Sequence, residues 1–174
     1  MATIDLIVLG MLKKKSMGAY DLQKLVEYRN ISKWVRISTP SIYKKVIQLE
    51  QKGFIRADMV REGKMPEKAV YSLTETGEKE FERLMLELAE MPVRIFLDFN
   101  AVIVNLDSLP QSKQDACLER IDANIKELNA YLEKNLQEKE TAPEIPETGI
   151  AVLKQQLALA EAIAQWLDTF KTER

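Results

Sequence analysis

The stretch TPSIYKKVIQLEQKGFI, Thr39 to Ile55, passes from an amphipathic helix through one glycine straight into an extended run. Thr39 or Ser38 suits an N-cap, and Pro40 suits the first helical position, where its missing N–H would have no partner anyway. At about 100° per residue, Ile42, Val46 and Leu49 share one narrow stripe. Ser41, Lys44, Lys45, Gln48 and Lys52 take the opposite arc, with Tyr43 and Ile47 at its border. Gly53 is the helix stop. FIRADMV and KAVYSL then read as two strands joined by REGKMPE, a polar hairpin tip containing Gly63 and Pro66.

The flanking sequence narrows the choice of fold. Ile4 to Leu12 and Tyr20 to Tyr28 both carry apolar residues at helical spacing, and NISKWVRIS between them and Thr39 predicts no regular element. Thr74 is positioned to cap a helix after the second strand, with Glu75 in its first turn, where the dipole favours negative charge. Helix, helix, helix, hairpin, helix is the order of a winged helix-turn-helix, whose third helix is presented to the major groove of DNA. Residues 1–91 are assigned to this domain and its linking helix. In that geometry Thr39, Ser41, Tyr43 and Lys44 head the helix face toward base edges, with Lys45 and Gln48 further along it. Arg61, Lys64 and Lys68 make the hairpin basic and suit it to the phosphate backbone.

Residues 92–174 differ in kind. VRIFLDFNAVIVNL and the run from Gln111 to Glu138 alternate apolar steps of three and four, the seam of coiled-coil-like packed helices. Gly149 to Lys171 predicts a last helix with two apolar faces. Leu153, Leu157, Ala160, Ala164 and Leu167 form one, and Val152, Leu159, Ile163, Trp166 and Phe170 the other. A terminal helix in a monomer normally needs only one buried face. The expectation is therefore a mainly α chain with one small β-hairpin and a C-terminal helical dimerisation domain. Leu153, Leu157, Ala160, Ile163, Trp166 and Leu167 are its expected interface.

Composition removes other classes. The chain has no histidine and one cysteine, Cys117. No His/Cys zinc cluster, Cys-His dyad or Ser-His-Asp triad can be assembled from that stock, so neither an enzyme nor a bound cofactor or metal is expected. Cys117 reads as a small buried hydrophobe. The absence of a long apolar run and of a signal-peptide pattern predicts a cytoplasmic protein that does not cross a membrane. The net charge of −2 conceals an asymmetry: residues 1–80 hold 15 Lys/Arg against 10 Asp/Glu, a surplus of five cations. A basic front half suits a polyanionic partner.

Three motifs resemble one known family, the PadR-type transcriptional regulators in their longer form. AYDL at Ala19–Leu22 is similar to its Gly-Tyr-Glu-Leu, and SIYKKVIQLEQKGFI to its Ser-Leu-Tyr-Pro-x-Leu-x-x-Leu-Glu-x-x-Gly-Leu-Ile. YSLTETG is similar to its Tyr-x-Leu-Thr-x-x-Gly, and Trp166-Leu167 to the pair that ends its C-terminal domain. Ala19, Lys44 and Val46 depart from the usual glycine, proline and leucine. The resemblance implies a homodimer on an inverted-repeat operator in double-stranded DNA, commonly acting as a repressor. It also implies a small aromatic or hydrophobic effector, for which Phe96, Phe99 and Trp166 are the candidate walls. The competing expectation is a non-catalytic adaptor that uses its winged helix to bind protein. Salt separates the two, because a DNA reader weakens steeply as ions compete for phosphate.

Overall fold

The computed structural model describes residues 2–35, 37, 41–61 and 67–174. Ser38, Thr39, Pro40, Gly63, Lys64 and Pro66, on which sequence expectations rest, lie outside the described residues. The chain divides into two compact units, Met1–Val93 and Arg94–Arg174.

In the first unit, α1 (Ala2–Lys14), α2 (Ala19–Tyr28), a 3-10 turn (Ile31–Lys33) and α3 (Ser41–Gln51) precede an antiparallel pair. The pair consists of β1 (Ile55–Val60) and β2 (Lys68–Leu73), with Ile55 opposite Leu73 and Val60 opposite Lys68. Helix α4 (Glu75–Ala89) follows. The core is made by the stripes that the helical period selects: Val8 and Leu9 from α1, Leu22 and Val26 from α2, Ile42, Val46 and Leu49 from α3. Each is fully buried, and burial of a large aliphatic side chain stabilises by roughly 1.5–3 kcal/mol. Met17 exchanges both backbone hydrogen bonds with Tyr71, which ties the hairpin to the link between α1 and α2. This is a winged helix-turn-helix.

One junction fixes where α3 ends and the wing begins. Gly53 takes φ +72°, the left-handed conformation that lets the chain leave the helix. The Thr74 hydroxyl accepts from the Gly77 N–H at 3.0 Å, the expected cap. It also faces the Gly53 and Phe54 carbonyls at 2.7 and 3.0 Å. The Phe54 carbonyl accepts from the Thr74 N–H as well. Gly77 is needed because a Cβ there would lie 1.9 Å from the Phe54 oxygen.

In the second unit α6 (Gln111–Glu140) and α7 (Glu147–Thr172) pack as an antiparallel pair. Ion pairs at both ends set the register: Lys171 with Asp122 at 2.8 Å, and Lys154 with Glu140 at 2.7 Å. Lys171, and then Lys126, hold the Asp122 carboxyl below its ordinary range. The continuous helix expected over 93–106 is a correction. Only α5 (Asn100–Ile103) and a 3-10 turn (Leu106–Ser108) form there, and 92–97 has no regular structure. The apolar spacing serves a short hook instead, whose Phe99, Ile103 and Leu106 pack with Leu118, Ile121, Ile125 and Leu167. Cys117 is half-buried against the same cluster, as a small hydrophobe would be.

The junction makes a graded prediction for urea melts. Gly77→Ala collides with fixed backbone and should cost at least about 1–3 kcal/mol. Gly53→Ala meets no atom within 4 Å and should cost only the left-handed backbone term, about 1–2 kcal/mol. Equal losses would mean that the Phe54 carbonyl yields to a methyl group.

Candidate nucleic-acid interface

The outward face of α3 follows from its buried one. With Ile42, Val46 and Leu49 inward, Lys44 and Gln51 lie within about 15° of the opposite pole, and Ile47 and Gln48 flank them at about 50°. Lys44 is exposed and has no carboxylate partner among the described residues. Ser41 and Gln48 are half-buried, and Tyr43 is 43% exposed. These four sit on one helix and share one accessible arc.

Lys45 does something else. Its ammonium lies 2.7 Å from Asp5 on α1, and both side chains are largely covered. The geometry falls short of a hydrogen bond to that oxygen, so the contact is an ion pair. Lying nearer the buried stripe than the outward pole, Lys45 joins α3 to α1 and is turned away from Lys44. Lys52, also expected on the polar arc, leans over the Phe54 ring at 5.9 Å.

On the hairpin, Arg61 follows β1 and Lys68 opens β2, both exposed. The expected contacts Thr39 and Lys64 lie outside the described residues. Sequence reasoning gave too little weight to three side chains. Ile47 is 52% exposed, Gln51 is exposed near the outward pole, and Tyr20 on α2 is 60% exposed. Centring the helical wheel on the buried triplet would have found the first two. Tyr20 looks like a core position by spacing, and only the packing of α2 turns it outward. Tyr20, Tyr43 and Ile47 line a groove of about 440 Å³, completed by Gly18, Ala19, Asp21, Lys68, Ala69 and Tyr71. Burial, and then the Glu50 charge, push the Tyr71 phenol up.

The second unit carries an apolar site of its own. Trp166 stacks on Phe99 and Phe170, with ring centroids at 6.0 and 5.5 Å. Phe96 and Phe99 line a groove of about 310 Å³ with Ile121, Ile125, Leu128 and Ile163, edged by Asp98 and Asn124. Phe96 and Phe99 therefore share this groove, while Trp166 backs Phe99 and is not among its lining residues. The interface expectation needs a correction. Leu153, Ala160 and Leu167 are buried within the chain itself, so they have almost no surface to give a second subunit. Leu157 and Ile163 are half-buried. Of the six expected interface residues, Trp166 is the one left 41% exposed; Leu159 on the same α7 face matches it.

A three-helix core with a hairpin and an outward polar third helix defines the class, a winged helix-turn-helix protein. Residues 8–83 match the transcriptional regulator PadR-like family. No curated protein matches by sequence. Among solved structures, the chain is similar to Bacillus subtilis PadR in complex with operator DNA, at 18% identity and TM-score 0.81, over 97% of this chain and 96% of that one. The same protein in complex with p-coumaric acid gives 18% and 0.79, over 96% and 92%. Protein smu.1604c of Streptococcus mutans gives 24% and 0.69, over 99% of both chains. The Vibrio cholerae virulence activator AphA gives 18% and 0.71, over 98% and 96%. The fold is thus shared along nearly the full length. The family match sets residues 8–83 beside transcriptional regulators.

The two neighbouring lysines should separate in experiment. Lys45→Ala strands Asp5 in a covered site and should destabilise the fold by about 1–3 kcal/mol in chemical melts. Combined with Asp5→Ala it should cost less than the sum. Lys44→Ala should leave the melt within about 0.5 kcal/mol of the parent. Additive losses for Lys45 and Asp5 would refute their coupling.

Proposed function

We propose that the chain is a dimeric, sequence-specific DNA-binding transcriptional regulator of the repressor type, acting in the cytoplasm on an inverted-repeat operator. Residues 1–91 bind DNA and residues 92–174 dimerise. The observation that carries this is the outward arc of α3, where Ser41, Tyr43, Lys44 and Gln48 stand unburied or half-buried on a helix whose opposite side is core. Arg61 and Lys68 are exposed on the hairpin, and Thr39 and Lys64, which lie outside the described residues, are proposed as further contacts. Ser41, Tyr43, Lys44 and Gln48 read base edges, and the hairpin cations grip phosphate. Lys45 is left to hold α3 on α1. The operator complex of B. subtilis PadR, a protein of the same fold, supports the reading.

Dimerisation is supported by the apolar surface that the second unit leaves uncovered. Leu159 and Trp166 of α7 and Leu128 of α6 each stay at least 41% exposed, and Phe96 stays 77% exposed. Two subunits would set their α3 helices against half-sites about one helical turn, roughly 34 Å, apart. Leu159→Glu with Trp166→Glu should give a monomer by sedimentation that loses operator affinity at least tenfold while keeping its fold. Wild-type binding should fall steeply with added salt. Salt-insensitive binding would favour the protein adaptor, and a dimer that survives both glutamates would place the interface elsewhere.

The groove of Phe96, Phe99, Ile121 and Ile125 supports a small flat effector, with Trp166 behind Phe99. The p-coumaric acid complex of B. subtilis PadR is the precedent. Phenolic compounds titrated into the dimer should quench tryptophan fluorescence and release DNA, and Phe99→Ala should weaken both together. Quenching without release would separate the groove from control of DNA binding.

A further inference from the structure

The outward side of α3 holds one side chain of the wrong chemistry for a solvated face. Ile47 stands 52% exposed among Lys44, Gln48 and Gln51. A single exposed isoleucine needs no explanation, but this one is not single. Tyr43, one turn earlier, and Tyr20, on the neighbouring helix, are 43% and 60% exposed, and all three line the same 440 Å³ groove. Its lining carries one cation and one carboxylate, Lys68 and Asp21, so the groove is near neutral. Lys44 and Arg61 are exposed beyond it. A near-neutral, largely apolar groove does not suit phosphate. It suits the one apolar group that the major groove displays, the C5 methyl of thymine.

We propose that Ile47 reads a thymine methyl group in the major groove, with Tyr43 and Tyr20 shielding that contact from water. The inference rests on the DNA-binding reading above and adds to it a base that hydrogen bonding alone would not select. Since Ile47 lies about 60° around the helix from Lys44, its target base is offset from the one that the lysine meets.

Deoxyuridine tests this directly, because it keeps every hydrogen-bonding group of thymidine and lacks only the methyl. A duplex is first selected from a randomised pool by the full-length protein, and each thymine is then replaced singly by deoxyuridine. At fixed salt, fluorescence anisotropy should find a position in each half-site where the replacement weakens wild type about fourfold, the worth of one methyl-sized group. Ile47→Ala, at an exposed helical site where alanine is the better helix former, should fold normally. It should bind the thymine duplex about as weakly as wild type binds the deoxyuridine one, and should ignore the replacement at that position. An Ile47→Ala protein that keeps the full deoxyuridine response overturns the proposal. So does a wild type indifferent to every replacement, which would leave Ile47 as a surface for a protein partner. Failure to select any duplex, or binding without salt dependence, would instead bring down the DNA-binding reading beneath it.

Discussion

The Phe54 carbonyl is the point on which the first unit turns. It accepts from the Thr74 N–H, lies 3.0 Å from the Thr74 hydroxyl, and occupies the space that a side chain at position 77 would need. The exit of α3, the close of β2 and the first turn of α4 are thereby fixed to one another. Because α3 is only 11 residues long, its direction depends on how its ends are held. The C-terminal end is held here, and the middle by Lys45 on Asp5. Preorganisation of this kind matters to a reading helix, because contacts made from a fixed helix cost less ordering entropy than contacts from a mobile one.

Most of the first unit was legible because its signals are local. Gly53, Thr74 and the triplet Ile42, Val46 and Leu49 each do what their chemistry dictates within a few residues of chain. Lys45 was misplaced for the opposite reason. On a helical wheel it belongs to the polar arc, and only the approach of α1 brings a carboxylate to it. Tyr20 shows the same limit: its spacing suits the core, and the packing of α2 turns it outward.

The second unit was legible in its helices and less so in what they bury. The sequence showed both apolar faces of α7, and the chain itself covers most of one of them. Which face meets which neighbour is a tertiary fact. The Leu153–Ala160–Leu167 face is taken by the chain's own α6 and the hook around Leu106, leaving Leu159 and Trp166 outward. The run 93–106 misled because short apolar spacing cannot distinguish a helix from a hook. Pro92 begins a stretch without regular structure, and the four-residue α5 is too short for its period to show.

Charge then limits how such a protein can hold DNA. The whole chain is acidic, at −2, and its surplus of cations is confined to the first 80 residues. Of the lysines on α3 and just past its end, Lys45 is spent on Asp5 and Lys52 leans on Phe54, which leaves Lys44 facing outward. With Lys44 assigned to base edges in the proposed reading, the hairpin cations make a modest phosphate grip, and sequence-independent affinity scales with the number of phosphates neutralised. A protein so equipped gains little by sliding tightly on arbitrary DNA. On the proposed reading its discrimination rests on Lys44 and on neutral groups, the hydroxyls of Ser41 and Tyr43, the amide of Gln48 and the methyls of Ile47. In the proposed dimer, affinity would come from presenting two such surfaces at once, since joining two weak modules makes the second contact intramolecular. In the proposed dimer the acidic, two-faced C-terminal unit and the sparsely charged α3 would act as one design: the weaker the grip of each α3, the more an operator complex would depend on pairing of the subunits.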